Sequence, residues 1–201
     1  MTGRPPSLDC PEAGACGAQC ACADAALDLR AHAAIDWVLE HEGGLADHPA
    51  DPGGITHYGI SLRYLARRGT DLDGDGDVDA DDIRGLTRAQ ARALYYADWW
   101  QRFGYGRIAD PLVARKVLDL AVWSGPGRAH RMLQRACNDL GATLAVDGAL
   151  GPLTVAATNA AEPGALLERL RERMSAYLRR LAQRRPALYV FARGWERRAR
   201  A

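Results

Sequence analysis

No stretch of this 201-residue chain approaches the roughly 18 consecutive apolar residues that span a bilayer. The N-terminus has no basic start, apolar run and small-residue cleavage site, so synthesis in the cytoplasm without a signal peptide is the expectation. An excess of charge of either sign is also missing. The 26 basic and 25 acidic residues leave a formal charge of +1, which argues against a protein that grips nucleic acid through a uniformly basic surface. Lysine is almost absent, with Lys116 the only one, and the scarcity reads as a coding bias toward arginine, which makes ordinary helix surfaces. Four of the five cysteines, Cys10, Cys16, Cys20 and Cys22, crowd into a Gly/Ala/Pro-rich leader. Their spacing lacks the paired C-x2-C of a zinc ribbon, and the histidines form no H-E-x-x-H, so neither a zinc finger nor a zinc peptidase is supported. Internal repeats and alternating β-branched runs are missing as well, which leaves helix as the main element.

What is present starts with segregated charge. Asp71 to Asp82 carries seven Asp and no base, whereas Glu168 to Ala201 carries eleven Arg against three Glu. Apolar residues recur at helical spacing along most of the chain. Ala31, Ile35, Val38 and Leu39 predict a first helix from about Asp24 to Glu42, stopped by Gly43-Gly44. Ser61 is placed to cap a helix over 62–68 that Gly69 closes, and Thr87-Arg88-Ala89-Gln90 has the form of a capping box opening a helix through Trp99 and Trp100. Asp110-Pro111 reads as an N-cap followed by a first-turn proline, and Gly125-Pro126-Gly127 as a break before a helix over 128–140. Gly151-Pro152 opens a further helix, and Glu162-Pro163 starts the Arg-rich helix that Pro186 interrupts.

Glu42 falls at i+7 from Ile35 and i+4 from Val38, which sets a carboxyl group on the apolar face at the end of its helix. Desolvation and the negative end of the helix dipole both disfavour an anion there, the condition a general acid needs to protonate a glycosidic oxygen. Downstream lie Asp51-Pro52-Gly53-Gly54 and Thr56-His57-Tyr58-Gly59-Ile60. An acid followed by a nearby Asp and a Thr supplies a proton donor, a second carboxylate and a hydroxyl that can hold water, the set an inverting glycoside hydrolase uses. The glycines let such a loop approach a sugar chain closely.

These motifs resemble glycoside hydrolase family 108, lysozyme-like N-acetylmuramidases of phage endolysin and secretion-activator type. The likeness runs through Glu42-Gly43-Gly44, Asp51-Pro52-Gly53-Gly54, Thr56, Tyr58-Gly59-Ile60, Tyr96-Ala97-Asp98-Trp99-Trp100 and Gly125-Pro126-Gly127-Arg128-Ala129. Val146-Asp147-Gly148-Ala149-Leu150-Gly151-Pro152 is similar to the family's C-terminal peptidoglycan-binding region. The resemblance implies a mainly α, lysozyme-like fold. It also implies hydrolysis of the β-1,4 bond between N-acetylmuramic acid and N-acetylglucosamine, with Glu42 as catalytic acid and Asp51 and Thr56 positioning water. Tyr58, His57, Trp99 and Trp100 are the candidate substrate contacts. The expected organisation is a flexible Cys-rich leader over 1–24, a catalytic lobe over 25–108, and a peptidoglycan-binding lobe with its Arg-rich helix over 109–201. A monomer reaching the wall by holin-type release follows from the same resemblance, with peptidoglycan and no nucleic acid as partner. The alternative is a non-catalytic wall-binding module, or a calcium-dependent assembly module, on the same fold.

A second motif stands apart from that resemblance. Asp71, Asp73, Asp75, Gly76, Asp77, Val78, Asp79 and Asp82 occupy positions 1, 3, 5, 6, 7, 8, 9 and 12 of an EF-hand-type loop. Asp71, Asp73, Asp75, Asp77 and Asp82 are the candidate ligands for a structural Ca²⁺, with Asp82 standing where a typical EF-hand has Glu.

Overall fold

The computed structural model describes residues 17–47, 54–184 and 192–200. Cys10, Cys16, Asp51 and most of the leader lie outside these residues. Helix α1 runs Gly17–Glu42, so it begins inside the stretch expected to be a flexible leader. A hairpin follows, β1 (Thr56–His57) and β2 (Ile60–Ser61), and then α2 (Leu62–Arg68), α3 (Ala80–Gly85) and α4 (Arg88–Tyr95). The chain continues through a π-helical turn, Tyr96–Gln101, and a short 3-10 turn, Tyr105–Arg107. Helices α5 (Pro111–Ser124), α6 (Pro126–Asp139), α7 (Pro152–Ala160), α8 (Pro163–Arg184) and α9 (Ala192–Arg200) complete it. The mainly helical class holds. No helix among the described residues is long and apolar enough to cross a membrane.

Local chemistry explains most of the boundaries. Ser61 accepts from the Tyr64 amide, and Gly69 closes α2 in the left-handed region at φ 65°. Thr87 and Gln90 satisfy each other's backbone amides in a reciprocal capping box, each bond occupying a donor the first helical turn leaves free. Asp110 accepts from Leu112 and Val113 at 2.9 Å each, with Pro111 as the first helical residue. Glu162 does the same for Gly164 and Ala165. Pro126 is not the breaker its surroundings suggest. Gly125 alone turns the chain, at φ 86°, and Pro126 opens α6 because its missing N–H and fixed φ suit a first helical position.

The buried residues form one continuous core. Helix α5 lies at its centre, against α1, α6 and α8, and is buried almost all round. Among its inward residues are two charges, Lys116 and Asp119. The lone lysine is therefore a core residue.

Candidate active site

Glu42 is the last residue of α1. Because Ile35, Val38 and Leu39 on the same face are buried, the helix carries Glu42 to the edge of the core, where its side chain is 18% exposed. The hairpin crosses directly in front of it. Thr56 pairs with Ser61 and His57 with Ile60, so Tyr58 and Gly59 form a two-residue turn with positive φ at both positions, 51° and 75°. That is the backbone of a type I′ turn, whose twist matches the strands it joins. A side chain at position 59 would place its first carbon 2.8 Å from Glu42 Oε2 and 2.7 Å from Tyr95 Oη. Only glycine lets the turn lie against the carboxyl group. Tyr95 fixes the turn from the other side, donating from Oη to the Tyr58 carbonyl at 3.1 Å. Burial, reinforced by the Glu42 charge, pushes the Tyr95 phenol well above its usual range and keeps it a donor.

The other face of Glu42 meets a residue that sequence periodicity could not have assigned to it. Arg198, on α9, donates from Nη2 to Glu42 Oε1 at 2.5 Å and from Nε to Asp119 Oδ1 at 2.8 Å. Lys116 Nζ lies 3.5 Å from Asp119 Oδ2 and donates to the Arg198 carbonyl at 2.9 Å. Two carboxylates and two cations thus alternate in the order Glu42, Arg198, Asp119, Lys116, and the most deeply buried of them, Lys116 and Asp119, are 3% and 0% exposed. Burial holds the Lys116 ammonium below its usual value against the pull of Asp119. For Arg198, desolvation is outweighed by Asp119 and Glu42, and the guanidinium sits above its usual value. Glu42 therefore has a fixed countercharge on one oxygen and the hairpin turn on the other.

The remaining expected site residues divide. Thr56 is in β1, close in sequence to the turn, with its hydroxyl donating to the Gly54 carbonyl at 3.2 Å. His57 is engaged by the protein: its Nδ1 lies 3.2 Å from the Ile83 carbonyl and its ring stacks on Tyr58 at 4.1 Å. The two tryptophans separate completely. Trp100 is 4% exposed and packs edge-on against Tyr105, so it is a core residue with no face left for a substrate, contrary to the sequence expectation. Trp99 lines a hollow of about 410 Å³ with Tyr64, Arg68, Asp98, Arg102 and Phe103. Tyr64 and Arg68 both hydrogen-bond Asp98 Oδ2 and fix that carboxylate in the wall. Tyr95 stacks on Trp99 at 6.4 Å between ring centres, which links the hollow to the Glu42 turn. The π-helical turn carries Trp99 and Trp100, and π segments occur often at functional sites.

In the acidic loop, oxygens of Asp71, Asp73 and Asp82 lie within 4.8 Å of one another. Asp75 and Asp77 are not part of that group; Asp75 Oδ1 accepts from the Asp77 amide at 3.1 Å. Asp82 is buried, with Oδ1 accepting from Leu72 and Oδ2 from Asp79. Asp71 accepts from the Gly74 and Gly76 amides, which hold its carboxyl below the usual range, whereas the Asp75 charge beside Asp77 pushes that carboxyl up. The donor set is all oxygen and strongly anionic, the chemistry a hard cation selects.

Comparison with known proteins finds two family matches along the chain. Residues 35–125 match the family described as glycosyl hydrolase 108. Residues 128–200 match a family described as a predicted peptidoglycan domain. Among solved structures, that of Brucella abortus SagA is similar, with 29% sequence identity and a TM-score of 0.66, over 84% of this chain and 88% of that one. No curated protein matches the chain at a significant level.

Proposed function

The chain belongs to the glycosyl hydrolase 108 family, with a predicted peptidoglycan domain at its C-terminal end; from that premise we propose that it cleaves the β-1,4 bond between N-acetylmuramic acid and N-acetylglucosamine, with Glu42 as general acid. The observation that carries this reading is the position of the Glu42 carboxyl, half-buried at the end of α1 and pressed against a hairpin turn that only glycine can form there. Arg198 holds Oε1 in one orientation, which leaves Oε2 to pass the proton to the leaving oxygen, and the ion pair with Arg198 then holds the carboxylate that remains. Thr56, on the strand leading into the turn, and Asp51 complete the set by positioning or activating water. Trp99 offers a ring face for the neighbouring sugar, and the Asp98 carboxylate in the same wall accepts from its hydroxyls. Replacing Glu42 with Gln keeps the shape and removes the acid. Clearing of purified peptidoglycan by Glu42→Gln should fall by at least about a hundredfold; a rate equal to the parent's would leave a wall-binding module.

We also propose that the loop from Asp71 to Asp82 binds one structural Ca²⁺. Asp71, Asp73 and Asp82 already converge, and Asp75 and the backbone around Asp77 lie at positions that supply further oxygens in such loops. The ion would neutralise carboxylates that otherwise repel, and fix the segment joining α2 to α3. Since the Ile83 carbonyl meets His57 in the hairpin, order in this loop is passed to the strand bearing Thr56.

A further inference from the structure

Helices α6 and α8 pack against each other and leave between them a groove of about 890 Å³. Six arginines line it: Arg128, Arg131 and Arg135 from α6, and Arg173, Arg180 and Arg184 from α8. Their spacings, i, i+3, i+7 on one helix and i, i+7, i+11 on the other, put each set along a single face. Only two carboxylates share the groove, and both are taken. Asp139 pairs with Arg173, and Glu172 with Arg169. Among the described residues, no carboxylate lies within ion-pair distance of Arg128, Arg131, Arg135, Arg180 or Arg184. Arg131 with Arg135 and Arg180 with Arg184 are like charges one helical turn apart, an arrangement that weakens a helix in the absence of an anion.

Two further observations indicate which anion. Pro126 lines both this groove and the hollow walled by Trp99, so a branched polymer can occupy the two at once. The six arginines of the groove also fall within residues 128–200, matched to the predicted peptidoglycan domain. The glycan strand of peptidoglycan is uncharged where stem peptides are attached, and its negative charge resides in the carboxylates of those peptides. From Arg173 to Arg184 the helix advances roughly 16 Å, the length of about five extended residues. We propose that this groove is a subsite for the acidic stem peptide, its guanidiniums binding the peptide carboxylates while the neutral glycan lies in the Trp99 hollow. Arg128, stacked over the Tyr177 ring at 4.9 Å, is held ready on one wall. The proposal rests on the hydrolase reading for the direction of the glycan, but its test does not depend on turnover.

The test is co-sedimentation of the full chain with purified sacculi, either intact or with their carboxylates converted to neutral amides. Arg135→Gln/Arg184→Gln should bind intact sacculi about tenfold more weakly than the parent, the loss of two exposed charge pairs. On amidated sacculi the two proteins should bind alike, and Arg135→Lys/Arg184→Lys should keep most of the intact-sacculus affinity. Equal binding of parent and Gln variant to intact sacculi, or an equal loss on both substrates, overturns the proposal. It is also overturned if inorganic polyphosphate binds more tightly than intact sacculi and loses that affinity in the variant. Release of reducing ends, followed in the same samples, separates the two readings: its absence from every sample sinks the hydrolase and leaves the binding difference to stand or fall alone.

Discussion

The Glu42 cluster and the acidic loop both concentrate charge, and they do so in opposite ways. In the first, two carboxylates alternate with two cations, deep enough that water contributes little, and every charge faces its opposite. In the second, seven carboxylates share twelve residues with no base, and six of the seven side chains are exposed to solvent, all but Asp82. The balanced cluster joins α1 to α9 by way of α5, since Arg198 lies 156 residues from Glu42 and also bonds Asp119. In the loop, Arg84 pairs with Asp81, and among the described residues the other six carboxylates have no cation within ion-pair distance. A buried network that closes internally can serve as a permanent latch, whereas an exposed one of single sign depends on an ion from outside.

The largest effect should come from opening the latch. Arg198→Ala leaves Glu42 and Asp119 facing each other with only Lys116 in compensation, and should cost about 3–5 kcal/mol of stability in thermal or denaturant unfolding. Arg198→Met/Asp119→Leu, which removes cation and anion together, should recover much of that loss; a double variant as unstable as the single would show that charge balance is not what matters. Next comes the loop. Calcium at a hundredfold excess over its Kd should stabilise the chain by about 2.7 kcal/mol, a rise in Tm of roughly 5–10 °C, reversed by chelator and abolished in Asp71→Asn/Asp73→Asn. An unchanged Tm would leave the carboxylates as a solvated surface.

The precision of the latch is tested by Gly59→Ala. A methyl group in contact with Glu42 Oε2 should displace the carboxyl and lower kcat about a hundredfold, with a smaller effect on Tm. The smallest effect is a control outside both clusters. His130 is buried, with Nε2 3.1 Å from the Tyr105 hydroxyl and Nδ1 3.0 Å from the Gly148 carbonyl. A neutral ring with the proton on Nδ1 satisfies both contacts, and burial holds its pKa below 6.5. The unfolded chain therefore takes up this proton first. The contribution is complete above about pH 6.5 and is lost as pH falls below that value, toward the lower folded pKa. His130→Gln should flatten the decline in Tm between pH 7 and pH 5.

Much of the fold was legible in the sequence where the signal is local. Ser61, Thr87 with Gln90, and Asp110-Pro111 announce helix starts through chemistry confined to four residues, and each cap forms as expected. Glu42 was legible because a helix repeats its faces. The hairpin was not: its strands are two residues long, too short for alternation to register, and Tyr58 takes a positive φ that its residue type does not advertise. Arg198 was hidden among eleven C-terminal arginines, since only tertiary packing distinguishes the one that reaches Glu42 from those that line the groove. Trp99 and Trp100 looked equivalent until the π-helical turn sent one to the hollow and the other to the core.

The central claim is that Glu42 donates the proton in cleavage of a glycosidic bond, and its most direct test is mass spectrometry of peptidoglycan digested in heavy-oxygen water. The account predicts one heavy oxygen at the reducing carbon of each new N-acetylmuramic acid end with the parent protein, and almost none with Glu42→Gln. Label in cleaved stem peptides, or reducing ends produced equally by Glu42→Gln, would contradict it.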